Sequence, residues 1–509
     1  MAALVSRRRF LTGLGVAGGA AVLGGAGYGI DTWVTGSSSA PPKGTVSAFR
    51  SRPDLTPPTV EVMAQADRVA PGYVFLDPGA GSGQFGPLIM DNLGQPVWFH
   101  PVGPSASVSP PALPGPVATN FQATSYQGRP VLTWWEGKVI LPGFGQGAYK
   151  IYDDRYRKVA TVEAQRGQRG DLHEFVITAF GTALLSFYEM VPTDLSSVGG
   201  PRRGVLLDSG FQEVDIASGA LLFEWRASRN IALNESYNPV SAAGTEAAPW
   251  DFFHLNSIDV DTDGHYLISA RHTWAVYKLH RTTGAVLWRL NGKQSDYTVS
   301  PDAHFSWQHH ARRNSDGSIS LFDDGAGTFQ SEGRSRGLLL ALDDTTSACT
   351  VLEEYRQLGV DATSSQGSTQ MLPNGNAFVG WGSEPYLTEF AHDGSLRFAA
   401  QLPVAGVSYR AFRFPWKGTP TERPAVAVGP GENGRPTAYA SWNGATEVTA
   451  WRALAGSRRD SLQPVARARR TGFETAIALP PQDAAQPFVA VAALDAHGRT
   501  LGRSAPYAT

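Results

Sequence analysis

Cysteine is almost absent from this 509-residue chain, which contains one, Cys349. A single thiol excludes both an intramolecular disulfide and a thiolate metal cluster, so stability has to come from packing. Charge is sparse as well: 17% of residues are charged, the formal net charge is −2, and no Lys/Arg run occurs beyond the N-terminus. That removes the electrostatic basis for binding nucleic acid. The chain also lacks a Gly-rich loop ending in Gly-Lys-Ser/Thr, so a nucleotide donor has no visible phosphate cradle. What remains is a small-molecule ligand.

The residues present in excess are turn formers and aromatics, with 56 Gly, 35 Pro, 13 Trp and 16 Tyr. This composition favours short strands joined by many turns over long helices, and the length calls for two folded units or one large repetitive unit with an appendage. At the N-terminus Ser6-Arg7-Arg8-Arg9-Phe10-Leu11 precedes a weakly apolar Gly/Ala-rich run over residues 12–30. Residues 1–35 therefore read as a twin-arginine export signal, with an apolar run long enough to act as an uncleaved membrane anchor. The expected location is secreted or cell-envelope associated. Residues 36–70, which begin rich in Ser, Pro and Thr, read as a linker.

From residue 71 a pattern of strand, Asp/Asn-Gly turn and aromatic strand recurs. Turns of this kind are Asp91-Asn92-Leu93-Gly94, Asp263-Gly264, Asp316-Gly317 and Asn374-Gly375. Six sheets, beginning near residues 72, 118, 171, 251, 304 and 368, predict an all-β six-bladed β-propeller over 71–416, with Val407-Ser408-Tyr409-Arg410-Ala411-Phe412 available to close the ring. A pair of unrelated β-sandwiches with similar turns is the competing architecture. After Pro415 histidine nearly disappears, and residues 423–509 predict an immunoglobulin- or fibronectin-like β-sandwich suited to packing or recognition.

Chemistry concentrates in the middle of the chain, where seven of its 11 histidines lie between His254 and His310. Neutral imidazole can attack an electrophile or move a proton near neutral pH. The strand period places His254 and Asn256 on one face of Asp251-Phe252-Phe253-His254-Leu255-Asn256, and Arg271 offers a guanidinium for an anion of the phosphate or sulfate type. Trp307-Gln308-His309-His310 and Asp171-Leu172-His173 add two further elements. A lone strand histidine is more often structural than catalytic, and His100, His280 and His304 lack evident partners, while His265 and His392 sit in turns. Adjacent strand histidines face opposite ways, so His309 and His310 are not expected to share a metal. Asp323-Asp324-Gly325 reads as a hydrogen-bonded or solvated turn, with calcium binding as the rarer meaning.

Asp251-Phe252-Phe253-His254-Leu255-Asn256-Ser257, Leu267-Ile268-Ser269-Ala270-Arg271-His272, Trp307-Gln308-His309, Leu321-Phe322-Asp323-Asp324 and Leu372-Pro373-Asn374-Gly375-Asn376 together carry a resemblance. Over roughly residues 70–415 the chain resembles the bacterial arylsulfotransferase family, in particular its actinobacterial branch. The resemblance implies a six-bladed propeller that moves a sulfuryl group from an aryl sulfate to a phenol through a sulfohistidine, with no cofactor. It implies His309 as nucleophile, with His310 the adjacent alternative, and His254, Arg271 and His173 as catalytic partners. Asn256, Gln308, His310 and Trp307 are then expected to line the substrate. The chain departs from periplasmic relatives in its single cysteine and in carrying its extra β-domain at the C-terminus. A secreted propeller that only binds an anionic ligand or cell-surface component is the competing function; a propeller hydrolase or dehydrogenase has no supporting motif.

Overall fold

A computed structural model describes residues 45–81, 83–103, 116–141, 143–240, 243–327, 335–357, 359–360, 362–403 and 407–509. The twin-arginine segment and residues 36–44 lie outside the described residues, and the rest of the expected linker is packed rather than free, since Leu55, Val60 and Ala70 are buried and Glu61–Gln65 joins a sheet. Nearly all regular structure is β, and the one α-helix among the described residues is Pro481–Ala484.

Most strands are antiparallel and pair with their sequence neighbours, the exceptions including the parallel pair of Thr298–Val299 with Ala348–Tyr355. The simplest sheet has the order Leu255–Val260, Tyr266–Ala270, Ala275–Leu279 and Val286–Leu290. The next is built on His309–Arg313, Ile319–Asp323, Arg336–Asp343 and Ala348–Tyr355, and the one after it on Ser368–Met371, Ala377–Gly380, Tyr386–Phe390 and Leu396–Gln401, with Glu61–Gln65 on its outer edge. The eight-stranded sheet joins the strands from Val117–Tyr126 to Lys158–Val162 with those from Gly170–Ile177 to Leu221–Arg226 through the single pairing of Gly147 with Gly170. Glycine is required at that joint, because a Cβ on Gly147 would lie 2.3 Å from the Glu136 carbonyl oxygen.

The turns form where the sequence carries side-chain acceptors. Asp91 Oδ1 accepts the amides of Leu93 and Gln95 at 2.9 and 3.0 Å, and Gly94 takes φ +75° between Leu88–Met90 and Pro96–Phe99. Gly264, Gly317 and Gly375 adopt the same left-handed conformation in the corresponding turns.

Each sheet buries residues from both of its faces, and each shares a core with the next. Phe211 and Trp225 pack with Tyr266 and Ile268; Leu267 and Val276 pack with Leu321 and Leu338; Phe322 and Tyr355 pack with Val379 and Trp381. Phe378 and Phe398 then pack with Val74 and Leu88, and Phe75 and Trp98 pack with Leu132 and Trp134, so the series of shared cores returns to its start. The link is hydrogen-bonded as well as apolar: Val407–Phe414 pairs antiparallel with Tyr73–Ala80 from Tyr73↔Phe414 to Ala80↔Val407, with register shifts on either side of Pro78. Fully burying each such aromatic contributes about 2–3 kcal/mol.

The C-terminal strands form a three-stranded and a five-stranded sheet. Ala438, Ala440 and Ile477 of the first pack against Trp451, Ala453, Val489 and Val491 of the second. Asn443 fastens this region to the earlier strands, accepting from the Phe99 amide and donating to its carbonyl, both at 2.9 Å.

Candidate active site

The strands deliver a cluster of histidines to one buried place. His173 lies within Gly170–Ile177, His254 immediately precedes Leu255–Val260, and His309 opens His309–Arg313. Arg271 and His272 sit in a 3-10 turn, Arg271–Thr273, that follows Tyr266–Ala270 directly. The ladder continues into it, since the amides of Arg271 and His272 donate to the carbonyls of His254 and Phe253 at 2.9 and 3.1 Å. The rings of His173 and His254 meet edge to face at 4.8 Å, and His254 is 4.8 Å from His272. His173 and His309 are 2% exposed, and His254 and Arg271 3%.

Three of these histidines each meet a carboxylate through Nδ1: His173 with Asp171 Oδ2 at 2.5 Å, His254 with Asp251 Oδ2 at 2.5 Å, and His309 with Asp324 Oδ2 at 2.7 Å. His272 Nδ1 instead donates to the main-chain carbonyl of Asp251 at 2.7 Å. Arg271 is held by the Ser364 carbonyl at 2.8 Å and by His272 Nε2 at 3.1 Å, and its guanidinium lies 5.0 Å from the ring centre of Trp307.

Burial and surrounding positive charge lower the pKa of His309, His254 and His272. Burial, then Arg271, His254 and His173, hold His309 well below the usual imidazole range. Burial, then His173 and Arg271, do the same to His254. Burial also outweighs Asp251 at His272, which falls to about 3. A neutral His309 is an unprotonated nucleophile beside a guanidinium able to hold an anion.

Beneath the histidines Glu174 is fully buried. Burial alone would raise its pKa, but Arg312 and Arg410 outweigh it and bring the carboxyl to about 2. Tyr409, next to Arg410, faces the His173 ring at 5.8 Å, and its buried hydroxyl has no hydrogen-bond partner among the described residues. Burial keeps that phenol protonated far above neutrality.

The backbone here is unusual. His254, Trp274, Trp307, His310 and Gln366, none of them glycine, take φ values of 58, 52, 58, 57 and 72°. Each left-handed residue of this kind costs on the order of 1–3 kcal/mol, and such strain gathers at functional sites.

The structure brings together His173, His254, Arg271, His309 and Trp307. It separates others. The shared strand face expected for His254 and Asn256 does not form, because His254 precedes the strand with φ 58° and the register shifts between Leu255 and Ser257. Asn256 Nδ2 donates to the Gln308 carbonyl at 2.6 Å, while Gln308 Nε2 bonds Ser269 Oγ and the carbonyls of Ala270 and Ala275, so both amides tie neighbouring sheets together. His310 turns away from His309 and packs on Phe412 at 5.2 Å. Of the remaining histidines, His304 bonds Asn291 Oδ1 at 2.8 Å, His265 and His280 accept backbone amides, and His100 stacks on Trp98. These are partners that the sequence alone did not supply.

Asp324, expected in a hydrogen-bonded or solvated turn, is buried and hydrogen-bonded, but sequence reasoning missed that its partner is His309. It also missed His272, although the residue lies inside a motif already singled out. Asp251, His254 and His272 each bring one metal-binding atom within 4.8 Å of the others. Those atoms are engaged with one another or with Arg271, whose positive charge opposes a second cation.

An all-β protein with cyclically packed sheets and a buried histidine–arginine centre is the class defined so far. A protein-family profile described as arylsulfotransferase (ASST) matches residues 122–402. The chain belongs to the arylsulfotransferase family, whose substrates are in general aryl sulfates and phenols. No curated protein sequence matches. Among solved structures, a protein of unknown function from Bacteroides caccae is 12% identical, with 67% of this chain and 98% of that one covered and a TM-score of 0.41. A protein from Lactobacillus plantarum is 12% identical over 80% and 99% of the two chains, with a TM-score of 0.36. Virginiamycin B lyase from Staphylococcus aureus is 10% identical over 66% and 83%, with a TM-score of 0.25.

Proposed function

We propose that this protein is an exported sulfotransferase that moves a sulfuryl group from an aryl sulfate to a phenol without a nucleotide donor, through a sulfohistidine on His309. In this reading residues 71–416 are a six-bladed β-propeller, residues 423–509 a β-sandwich, and residues 1–35 a twin-arginine signal that can also anchor the chain.

The observation that carries the reading is the convergence of a deprotonated His309 with Arg271, His254 and His173 in one buried cluster inside a family-matched region. Arg271 would neutralise the sulfuryl oxygens while His309 attacks sulfur and the phenolate leaves as the anion, and His254, held neutral, would take the proton of the acceptor phenol. Trp307, already against Arg271, offers an aromatic face to the aryl group. Donor and acceptor would use the site in turn, giving ping-pong kinetics.

The test is intact-mass analysis of the full chain after brief incubation with para-nitrophenyl sulfate. A gain of about 80 Da, one sulfuryl group, discharged by phenol and absent in His309→Ala, is the expected result for a covalent intermediate. No adduct and no nitrophenol release would favour a propeller that only binds an anion.

A further inference from the structure

The three histidine–carboxylate pairs use the same ring atom. In each, Nδ1 meets the carboxylate. An ionised carboxylate only accepts, so Nδ1 carries the proton of a neutral ring and Nε2 keeps its lone pair.

At His309 the arrangement is held firmly. Asp324 is fully buried, and its own carbonyl accepts Ser335 Oγ at 2.5 Å. Its neighbour Asp323 is fixed by the Ser306 amide and by Arg336 Nε, both at 3.0 Å. On the other side of the imidazole, the Gln366 amide approaches Nε2 at 3.4 Å. That contact is long and weak for a hydrogen bond, and leaves the Nε2 lone pair available.

We propose that Asp324 is a positioning residue for His309, holding the proton on Nδ1 so that Nε2 is the attacking atom and balancing the positive ring that attack creates. The inference rests on His309 being the nucleophile. In the forward step the Nε2 lone pair forms the N–S bond as the bond from sulfur to the aryl oxygen breaks. The bonding pair leaves on that oxygen as a phenolate, which takes its proton from solvent, because the neutral ring of His254 holds its one proton on Nδ1 against Asp251. Nδ1–H remains, so the sulfonated ring is cationic and faces the Asp324 carboxylate. In the return step the acceptor phenol gives its proton to the bare Nε2 of His254, which passes it to solvent, the phenol oxygen takes the sulfuryl group, and the N–S electron pair returns to Nε2 of His309. Nothing else is consumed.

Asp324→Asn in the full chain tests this. An amide can donate to Nδ1 as well as accept from it, so the tautomer is no longer fixed. The expected kinetics are a fall in kcat of roughly a hundredfold or more with KM for para-nitrophenyl sulfate little changed, since the loss is of orientation rather than binding. The independent readout is the ring-nitrogen NMR spectrum of protein labelled with 15N-histidine, with His309 identified by its loss in His309→Gln. Wild type should show a protonated Nδ1 and a bare Nε2; Asp324→Asn should populate the reverse tautomer while the His173 and His254 signals stay in place. That last feature separates loss of positioning from misfolding.

An adduct forming on His309 at the wild-type rate in Asp324→Asn would overturn the positioning role and leave the nucleophile reading intact. Absence of any adduct in wild type would sink the nucleophile reading, and the catalytic role of Asp324 with it. A wild-type His309 protonated at Nε2 would overturn the proposal by itself.

Discussion

Arg410 Nη1 donates to Glu174 Oε1 at 3.0 Å, with both side chains completely shielded from water. Glu174 Oε2 accepts from Arg312 Nη2 at 2.5 Å and from the Ile258 amide at 3.3 Å, and Arg410 Nη2 donates to the Asn256 carbonyl at 2.8 Å. One carboxylate thus joins Gly170–Ile177, Leu255–Val260, His309–Arg313 and Val407–Phe414, the strands that also carry the site.

Removing that charge leaves two guanidinium groups without their partner. Glu174→Gln is expected to destabilise the protein by about 3–5 kcal/mol, read from the denaturant midpoint at unchanged slope. The pH dependence has a definite sign. The folded carboxyl, at about 2, lies below its ordinary value, so its stabilisation is complete above the unfolded pKa and is lost as pH falls from there towards about 2. The drop in melting temperature between pH 6 and pH 3 should be smaller in the variant than in wild type.

His309 is held deprotonated partly by Arg271. kcat/KM for an aryl sulfate should therefore stay level as pH is lowered through the ordinary imidazole range near 6.5, and fall only at more acid pH. Arg271→Gln removes a charge that opposes protonation of His309. Its acid limb should move to higher pH, together with a loss of roughly a hundredfold in kcat/KM. An acid limb unmoved by the substitution would separate Arg271 from His309 electrostatically.

The Tyr409 hydroxyl, without a hydrogen-bond partner among the described residues, is costly to bury if nothing ever bonds it. Tyr409→Phe should leave stability within about 1 kcal/mol of wild type, or raise it, while lowering kcat/KM about tenfold through loss of a donor to the sulfuryl group. Thermal unfolding and steady-state kinetics on the same preparation decide it.

Asn256 behaves as a tether in this fold. Asn256→Ala should cost about 1–3 kcal/mol because it leaves the buried Gln308 carbonyl without its donor. A stable variant with a raised KM would instead return Asn256 to the substrate.

Much of this architecture was legible in local chemistry. Asp91 and Gly94 specify their turn through one side-chain acceptor and one left-handed residue, both of which a single sequence displays. The motifs around His254, Arg271 and His309 were legible as chemistry because histidine is scarce, with 11 in the chain, and concentrated there. Strand alternation failed at His254 and Asn256, since a left-handed residue followed by a register shift breaks the two-residue period. Asp324 was hidden for a different reason: it lies 15 residues from His309, and only the return of the chain along Ile319–Asp323 brings the two together. Glu174 and Arg410 are 236 residues apart, a pairing no local pattern announces.

The pairing of Val407–Phe414 with Tyr73–Ala80 also sets the order in which the molecule can be completed during synthesis. Tyr409 and Arg410 leave the ribosome after every histidine of the cluster. A nascent or truncated chain that stops short of this strand has its first sheet unfinished and Glu174 without one of its two cations, however well its earlier sheets have formed. The centre is therefore completed only after the strands that carry its histidines, by the same strand that joins the two ends of the cycle.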